Sequence, residues 1–312
     1  MNSFYILLNM KTIKKYHKTI LIFSFVLALS IYVCLFAIKK ARDVEIYKQN
    51  TIQTKIYEIW HIETFEGGGK SRTNYLKDIA LNIEKSNPSI LFMVRQISPE
   101  KLASELDQAC PDIISFGYGV GTTILPFLKE FNQTYEVRSK LIDSGTFNKK
   151  LFAIPYILSG YAEISHNAQF NQTIYSKSYT NPSPNLNYSA NALNISQYEA
   201  YKRFVNDKSI RLIGTGRDVY RVNNLNNIGR TNAQIKALSV YTDLIQYIGI
   251  CNTDENISNF VSLALSGENQ LKLIDYSLFS SKYGKIYSTG IYNDMEDAII
   301  SASVPNCFEN GN

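Results

Sequence analysis

The stretch Cys110-Pro111-Asp112-Ile113-Ile114-Ser115-Phe116-Gly117-Tyr118-Gly119-Val120-Gly121 decides the fold class. Its Cys-Pro step stops a helix whose inward positions are Leu102 and Leu106, and Asp112 to Phe116 then reads as a strand that opens into a glycine loop. Helical spacing resumes over Thr122 to Phe131 through Ile124, Leu125, Leu128 and Phe131. The same pattern extends toward the N-terminus. Lys55 to Ile62 reads as a strand, the loop Glu63 to Lys70 carries Gly67, Gly68 and Gly69, and Ser71 caps a helix with Tyr75, Leu76, Ile79, Ala80 and Ile83 on one face. Asn87-Pro88 ends that helix, Ile90 to Val94 is a second strand, and Ser98-Pro99 starts the next helix. Strand and helix alternate across short connections, which predicts an α/β fold with a parallel sheet covered on both faces. Ligands of such sheets sit beyond the carboxyl ends of the strands, so the loops 61–71 and 116–121 point to one site.

Further along, Leu151 to Pro155 starts another strand, and apolar residues continue from Tyr156 to Ser165 around Ser159 and Gly160. Residues 167–197 hold seven Asn, five Ser and two Pro, the composition of a long loop or an eroded region. A short helix through Phe204 and a strand Ile210 to Ile213 follow, and that strand opens into Gly214-Thr215-Gly216-Arg217-Asp218. Ser239 to Ile250 reads as strand or buried segment, and Ile257 to Leu265 and Gly267 to Phe279 read as helices.

At 312 residues with 45% hydrophobic and 19% charged side chains, the chain is long enough for two compact units and too apolar for disorder. Its net charge of +5 is unevenly spread: residues 1–43 carry seven of the 32 basic side chains and one of the 27 acidic ones, which leaves the remainder at −1. A nucleic-acid partner loses its main support.

Thr19 to Ile38 contains no charged residue and matches the roughly 20 residues that span a bilayer as a helix. Lys11, Lys14, Lys15 and Lys18 precede it and Lys39, Lys40 and Arg42 follow, so the N-terminus is expected in the cytoplasm and the main domain outside. Phe36-Ala37-Ile38-Lys39 lacks a cleavage-site pattern, which favours an uncleaved signal anchor. Lipidation of Cys34 is the weaker alternative, because Val33 stands where a small residue is expected. Cys110, Cys251 and Cys307 show no metal-binding spacing; one disulfide or three unpaired thiols are both open.

Neither a dinucleotide-binding glycine pattern nor a P-loop is present, so Gly67 to Gly69 reads first as a tight turn into a helix and second as an anion cradle. His61-x-Glu63 with His166 offers at most a pair of metal ligands, and no metal or other cofactor is expected. Glu63, Glu66 and Asp218 can be nominated as the carboxylates of a glycoside hydrolase, but no spacing singles them out. Trp60, Phe116, Tyr118, Tyr156 and Tyr161 cluster at strand ends, where aromatic faces suit sugar rings.

Three segments together, Tyr57-Glu58-Ile59-Trp60-His61, Pro111-Asp112-Ile113-Ile114-Ser115-Phe116 and Lys150-Leu151-Phe152-Ala153-Ile154-Pro155-Tyr156 with Ser159-Gly160-Tyr161, resemble family 1 extracellular solute-binding proteins of ABC importers, the maltose-binding-protein-like group. Phe204 to Gly214 with Thr215-Gly216-Arg217-Asp218, and the late Ser266-Gly267-Glu268-Asn269-Gln270, are similar to further pieces of that family. The resemblance implies a two-lobed periplasmic-binding-protein-like clamp that closes over its solute, here preceded by one transmembrane helix. Residues 1–43 would form the cytoplasmic N-terminus and anchor, 44–162 plus 239–265 lobe one, and 163–238 plus 266–312 a shortened second lobe.

The expected function is therefore binding, not catalysis: a monomeric, extracellular, membrane-anchored bacterial protein that delivers a carbohydrate to an ABC permease. Trp60, Glu63, Glu66, Phe116, Tyr156, Tyr161, Arg217 and Asp218 are the expected ligand-binding residues, with aromatics for stacking and charged groups for hydroxyls. The alternatives are a tethered ligand sensor, a degenerate binding protein without transport role, and a tethered glycan hydrolase.

Overall fold

The computed structural model describes residues 25–40, 54–65, 67–167, 169–176, 197–239 and 243–309. The chain divides into two units, Met1–Thr54 and Lys55–Asn312. In the first, residues 25–40 form an exposed helix, α1. At 1.5 Å per residue it spans about 24 Å, and no helix among the described residues is long and apolar enough to cross a membrane. Residues 19–24 of the expected span lie outside the described residues.

The second unit begins with β1 (Lys55–Ile62), α2 (Arg72–Ser86), β2 (Ile90–Ile97), α3 (Leu102–Leu106), β3 (Ile113–Gly117), α4 (Gly121–Ile124) and α5 (Ser139–Ile142). A hairpin follows, β4 (Thr146–Phe147) and β5 (Lys150–Leu151), then β6 (Ile154–Leu158), β7 (Tyr161–Ser165), β8 (Gln172–Tyr175), α6 (Gln197–Asn206) and β9 (Ile210–Thr215). The chain ends through α7 (Gly216–Asn227), β10 (Gln234–Leu238), β11 (Ile245–Ile250), α8 (Glu255–Ala264), α9 (Gly267–Leu271), β12 (Phe279–Ser280) and α10 (Gly290–Ser301). Asn148 and Lys149 both take positive φ between β4 and β5, as a two-residue hairpin turn demands.

Two larger sheets carry the unit, one ordered β12-β6-β11-β3-β1-β2 and the other β10-β7-β9-β8. The expected α/β alternation holds over β1, β2 and β3, which pair in parallel. The expectation of an all-parallel sheet fails beyond β3, because β11 returns from the second sheet and runs antiparallel to both β3 and β6. The helix expected over Thr122 to Phe131 is cut short: Pro126 sits in a 3₁₀ turn after α4, and Leu128 is extended. Gly267 to Phe279 likewise breaks after α9, where a 3₁₀ turn ends in Ser277 at positive φ.

The chain passes from the first sheet to the second through Ser159 and Gly160, between β6 and β7. The assignment of residues 266–312 to the second sheet's side needs correction, since β12 pairs with β6 in the first sheet. The tail also belongs there: the Cys307 amide donates to the Ser144 carbonyl at 2.7 Å, and Phe308 packs on Phe116. Within that stretch, α10 packs against β10 of the second sheet. The eroded region expected within 167–197 falls mostly on residues 177–196, outside the described residues.

On β1 the period-2 alternation splits the core. Tyr57 and Ile59 face α2 and α8 with Leu76, Ile79, Phe92 and Phe260. Trp60 and Ile62 face a second cluster, continuous with Ala162, Ile164, Phe204, Leu212 and Val219 around the second sheet. Among the cysteines, Cys110 and Cys251 are free thiols that hydrogen-bond to one another, and burial pushes the Cys251 thiol up; Cys307 is buried apart from them.

Candidate functional site

Two strand-to-helix turns, one from each sheet, meet edge to edge. In the first, β1 leads through the glycine loop into α2, and the Ser71 hydroxyl caps the helix by accepting from the Thr73 amide at 3.2 Å. In the second, β9 leads directly into α7 through a capping box: Thr215 accepts from the Arg217 amide at 3.3 Å, and the Asp218 carboxylate accepts from the Thr215 amide at 3.0 Å. The Arg217 guanidinium crosses to donate to the carbonyls of Gly68, at 2.9 Å, and Gly69. Ser159 donates to the Gly67 carbonyl at 2.8 Å. Gly216 lies so close to that carbonyl that a Cβ would overlap it, which makes glycine a requirement of the approach.

A cavity of about 140 Å³ opens here, lined by Glu63, Gly67, Gly68, Lys70, Ser71, Arg72 and Arg217. Arg72 is its buried wall, with 1% of its surface exposed. Its guanidinium donates to Gln246 Oε1 at 3.0 Å, to Glu63 Oε1 at 3.1 Å and to the Phe65 carbonyl, and it stacks 3.9 Å over the Phe65 ring. Nε of Arg72 is buried with no hydrogen-bond partner. Glu63 also accepts from Gln96 at 3.0 Å through its other oxygen.

Behind Arg72 runs a buried polar network. Gln246 Nε2 donates to Ser115 Oγ at 2.9 Å and to the Ile62 carbonyl at 3.2 Å, and Ser115 bonds the Tyr156 hydroxyl at 2.8 Å and His61 Nδ1 at 2.9 Å. Burial, aided by the nearby Arg72 charge, holds the His61 imidazole well below its ordinary value. Burial raises the Tyr156 phenol above its own. Both groups are therefore neutral near pH 7, and the network fixes the orientation of Arg72 without adding charge.

The expected binding residues separate in space. Glu63 and Arg217 line the cavity. Trp60, Phe116, Tyr156 and Asp218 have no exposed surface and Tyr161 has 3%. Trp60 is core beneath Arg95, Phe116 stacks on Tyr247 with centroids 5.6 Å apart, and Tyr161 donates to Asp243 at 2.8 Å. Trp60 and Phe116 belong to the core cluster that continues into the second sheet, Tyr156 stacks on Tyr75 in the cluster under α2 and α8, and none of these rings offers an open face in this structure. Asp218 is a helix cap. Glu66 lies outside the described residues. His61 and His166 are on different sheets, His166 stacked on Phe204, and no cluster able to hold a metal ion exists among the described residues.

Lys70 and Ser71 fall in the loop 61–71 expected at the site but are not among the expected binding residues, and Arg72 lies just beyond that loop. Their signal was legible: two cations flank a helix start that has no acidic residue in its first turn, against the preference set by the helix dipole.

The fold is similar to those of two solved structures, one of them an ABC substrate-binding protein. A structure described as giving biochemical and structural insights into xylan utilization by the thermophilic bacterium Caldanaerobius polysaccharolyticus matches with TM-score 0.54 and 11% identity, over 81% of this chain and 90% of the other. An ABC substrate-binding protein from Listeria monocytogenes in complex with cycloalternan matches with TM-score 0.52 and 11% identity, over 81% and 88%. No protein-family model matches the sequence. A search of curated proteins finds no match either.

Proposed function

We propose that the chain is the extracytoplasmic solute-binding component of an ABC importer, that it takes a carbohydrate between its two sheets, and that it is held at the membrane by its N-terminal helix. The observation that carries this reading is the meeting of the two helix starts, α2 and α7, around one polar cavity in a substrate-binding-protein fold. The two solved structures, one concerned with xylan and one holding cycloalternan, favour a sugar. Ser159-Gly160 is one of the crossings about which the sheets would close. Its partner would be a membrane permease, its work binding and release, and no step needs a catalytic residue.

A thermal-shift screen of the full chain against mono- and oligosaccharides, amino acids and phosphorylated compounds tests the reading, since a ligand of the native state raises the melting temperature. A shift confined to sugars is expected. A cooperative melt that no compound moves would overturn it in favour of a non-binding copy.

A further inference from the structure

We infer that Cys110 and Cys251 are a modification site, the pair that is oxidised to a disulfide joining the start of β3 to the end of β11, while Cys307 stays a thiol. The pairing stands on the structure; that oxidation happens in the cell rests on the extracytoplasmic placement proposed above.

The sequence leaves one disulfide or three thiols open, and the fold brings two of those cysteines together. β3 and β11 run antiparallel, with Ile113 opposite Ile250. The next residue, Cys251, donates its amide to the Asp112 carbonyl at 2.9 Å, so Cys110, two residues before Asp112, stands diagonally across from it. There the two thiols meet in a hydrogen bond. The Asp112 carboxylate holds the backbone around them, accepting from the Glu58 amide and from the Asn252 side chain at 2.9 Å each. Cys307 lies at the opposite end of β3: its carbonyl crowds Gly121, and its amide bonds Ser144. The five residues of β3, at roughly 3.3 Å each, put more than about 15 Å between the two ends, beyond the reach of a disulfide. Cys34 belongs to the separate N-terminal unit.

Exposure orders the steps. Cys110 is exposed, whereas Cys251 is half-buried and burial pushes its thiol up. A small disulfide oxidant, such as glutathione disulfide, therefore meets Cys110 first: the Cys110 thiolate attacks one oxidant sulfur, and the other leaves as a thiolate. Cys251, once deprotonated, attacks the Cys110 sulfur of this mixed disulfide and expels the second thiolate. Two protein thiols become one cystine, and the oxidant takes up both electrons and both protons to end as two thiols. The bond closes the loop from Cys110 to Cys251, which contains every strand of the second sheet. It lies at the amino end of β3, whereas the cavity opens beyond the carboxyl end of the parallel strand β1, so the site stays unobstructed.

The test is oxidation of the reduced full chain with glutathione disulfide, followed by alkylation, non-reducing digestion and mass spectrometry. A single cross-link between the Cys110 and Cys251 peptides is expected, with the loss of two hydrogens and with Cys307 alkylated once the protein is unfolded. The oxidised protein should melt about 5–10 °C above the reduced one, since the bond closes a long loop of the unfolded chain, and dithiothreitol should erase the gain. Cys110→Ser, at an exposed position where folding is not at risk, should abolish both the cross-link and the shift. Thiols at 110 and 251 that stay open to alkylation, a glutathione adduct retained on Cys110, or a cross-link that runs to Cys307 or to a second chain would each overturn the inference and leave the solute-binding reading untouched. Alkylation of the protein directly in cells separates the two readings. A disulfide already present supports both; thiols that are reduced in the cell yet pair selectively after purification uphold the pairing and tell against the extracytoplasmic placement.

Discussion

Lowering the pH toward 5 should destabilise this protein through one buried imidazole. His61 has no exposed surface, and desolvation first, then the Arg72 charge, hold its pKa well below 6.5. In the unfolded chain it titrates near 6.5. Below that value the unfolded chain binds a proton that the native state refuses, so His61 leaves stability intact above about pH 6.5 and subtracts from it as pH falls. One proton amounts to about 1.4 kcal/mol per pH unit, or about 2 kcal/mol between pH 6.5 and 5. The assay is urea unfolding of the wild type and His61→Gln at matched ionic strength across that range. Gln preserves a polar contact to Ser115 without titrating, and His166 is common to both proteins, so the difference isolates His61. The wild type should lose more than the variant, by up to about 2 kcal/mol where the native imidazole stays neutral down to pH 5. A difference that stays constant with pH would refute the reasoning, as would an NMR titration of the native protein in which the His61 ring protonates near pH 6.5.

Three further outcomes follow from the packing. Trp60→Ala empties a site with no exposed surface and should cost about 3–5 kcal/mol in urea unfolding, so a loss of ligand binding without loss of stability would contradict its place in the core. Gly216→Ala drives a methyl group into the Gly67 carbonyl and to 2.8 Å from Ser159 Oγ; about 1–3 kcal/mol of destabilisation and weaker ligand binding are expected, and an unchanged melting temperature would show that the two turns do not touch. Gln270→Leu strands the partners of a buried amide that donates to the Tyr156 and Ala264 carbonyls and accepts from Ser280 and the Ser281 amide, with a cost on the order of 3 kcal/mol in chemical denaturation; near-neutral stability would argue against that network.

The first three strands and α2 were legible because periodicity and caps are local. Ile113 to Phe116 needs only its own apolar run and the flanking glycine to read as a strand, and Ser71 marks a helix start by itself. β11 was not legible in the same way. Ile245 to Ile250 is buried at every position, and its direction is set by β3 and β6, more than 80 residues away in sequence. The aromatic positions were misread for a related reason: Trp60 and Phe116 do stand at strand ends, but the second sheet's core covers those ends, and no local pattern reports what a distant segment will bury. Gln270 shows the converse. Its late motif was noticed as a resemblance, and the structure gives the physical reason, a side chain whose two polar atoms tie α9 to β6 and to the residues after β12.

The position of β11 also governs the order in which the chain can be assembled. During synthesis from the N-terminus, β3 and β6 emerge long before the strand that separates them, and both must wait with a bare hydrogen-bonding edge while residues 159–244 are made. The four strands of the second sheet, all contained in residues 161–238, can complete themselves in that interval. A ribosome stalled or a chain truncated before Ile245 would thus release a finished small sheet joined to a half-built large one, in which β3 bares one edge and β6, with β11 and β12 both missing, bares two, the species most prone to aggregate or to recruit a foreign strand.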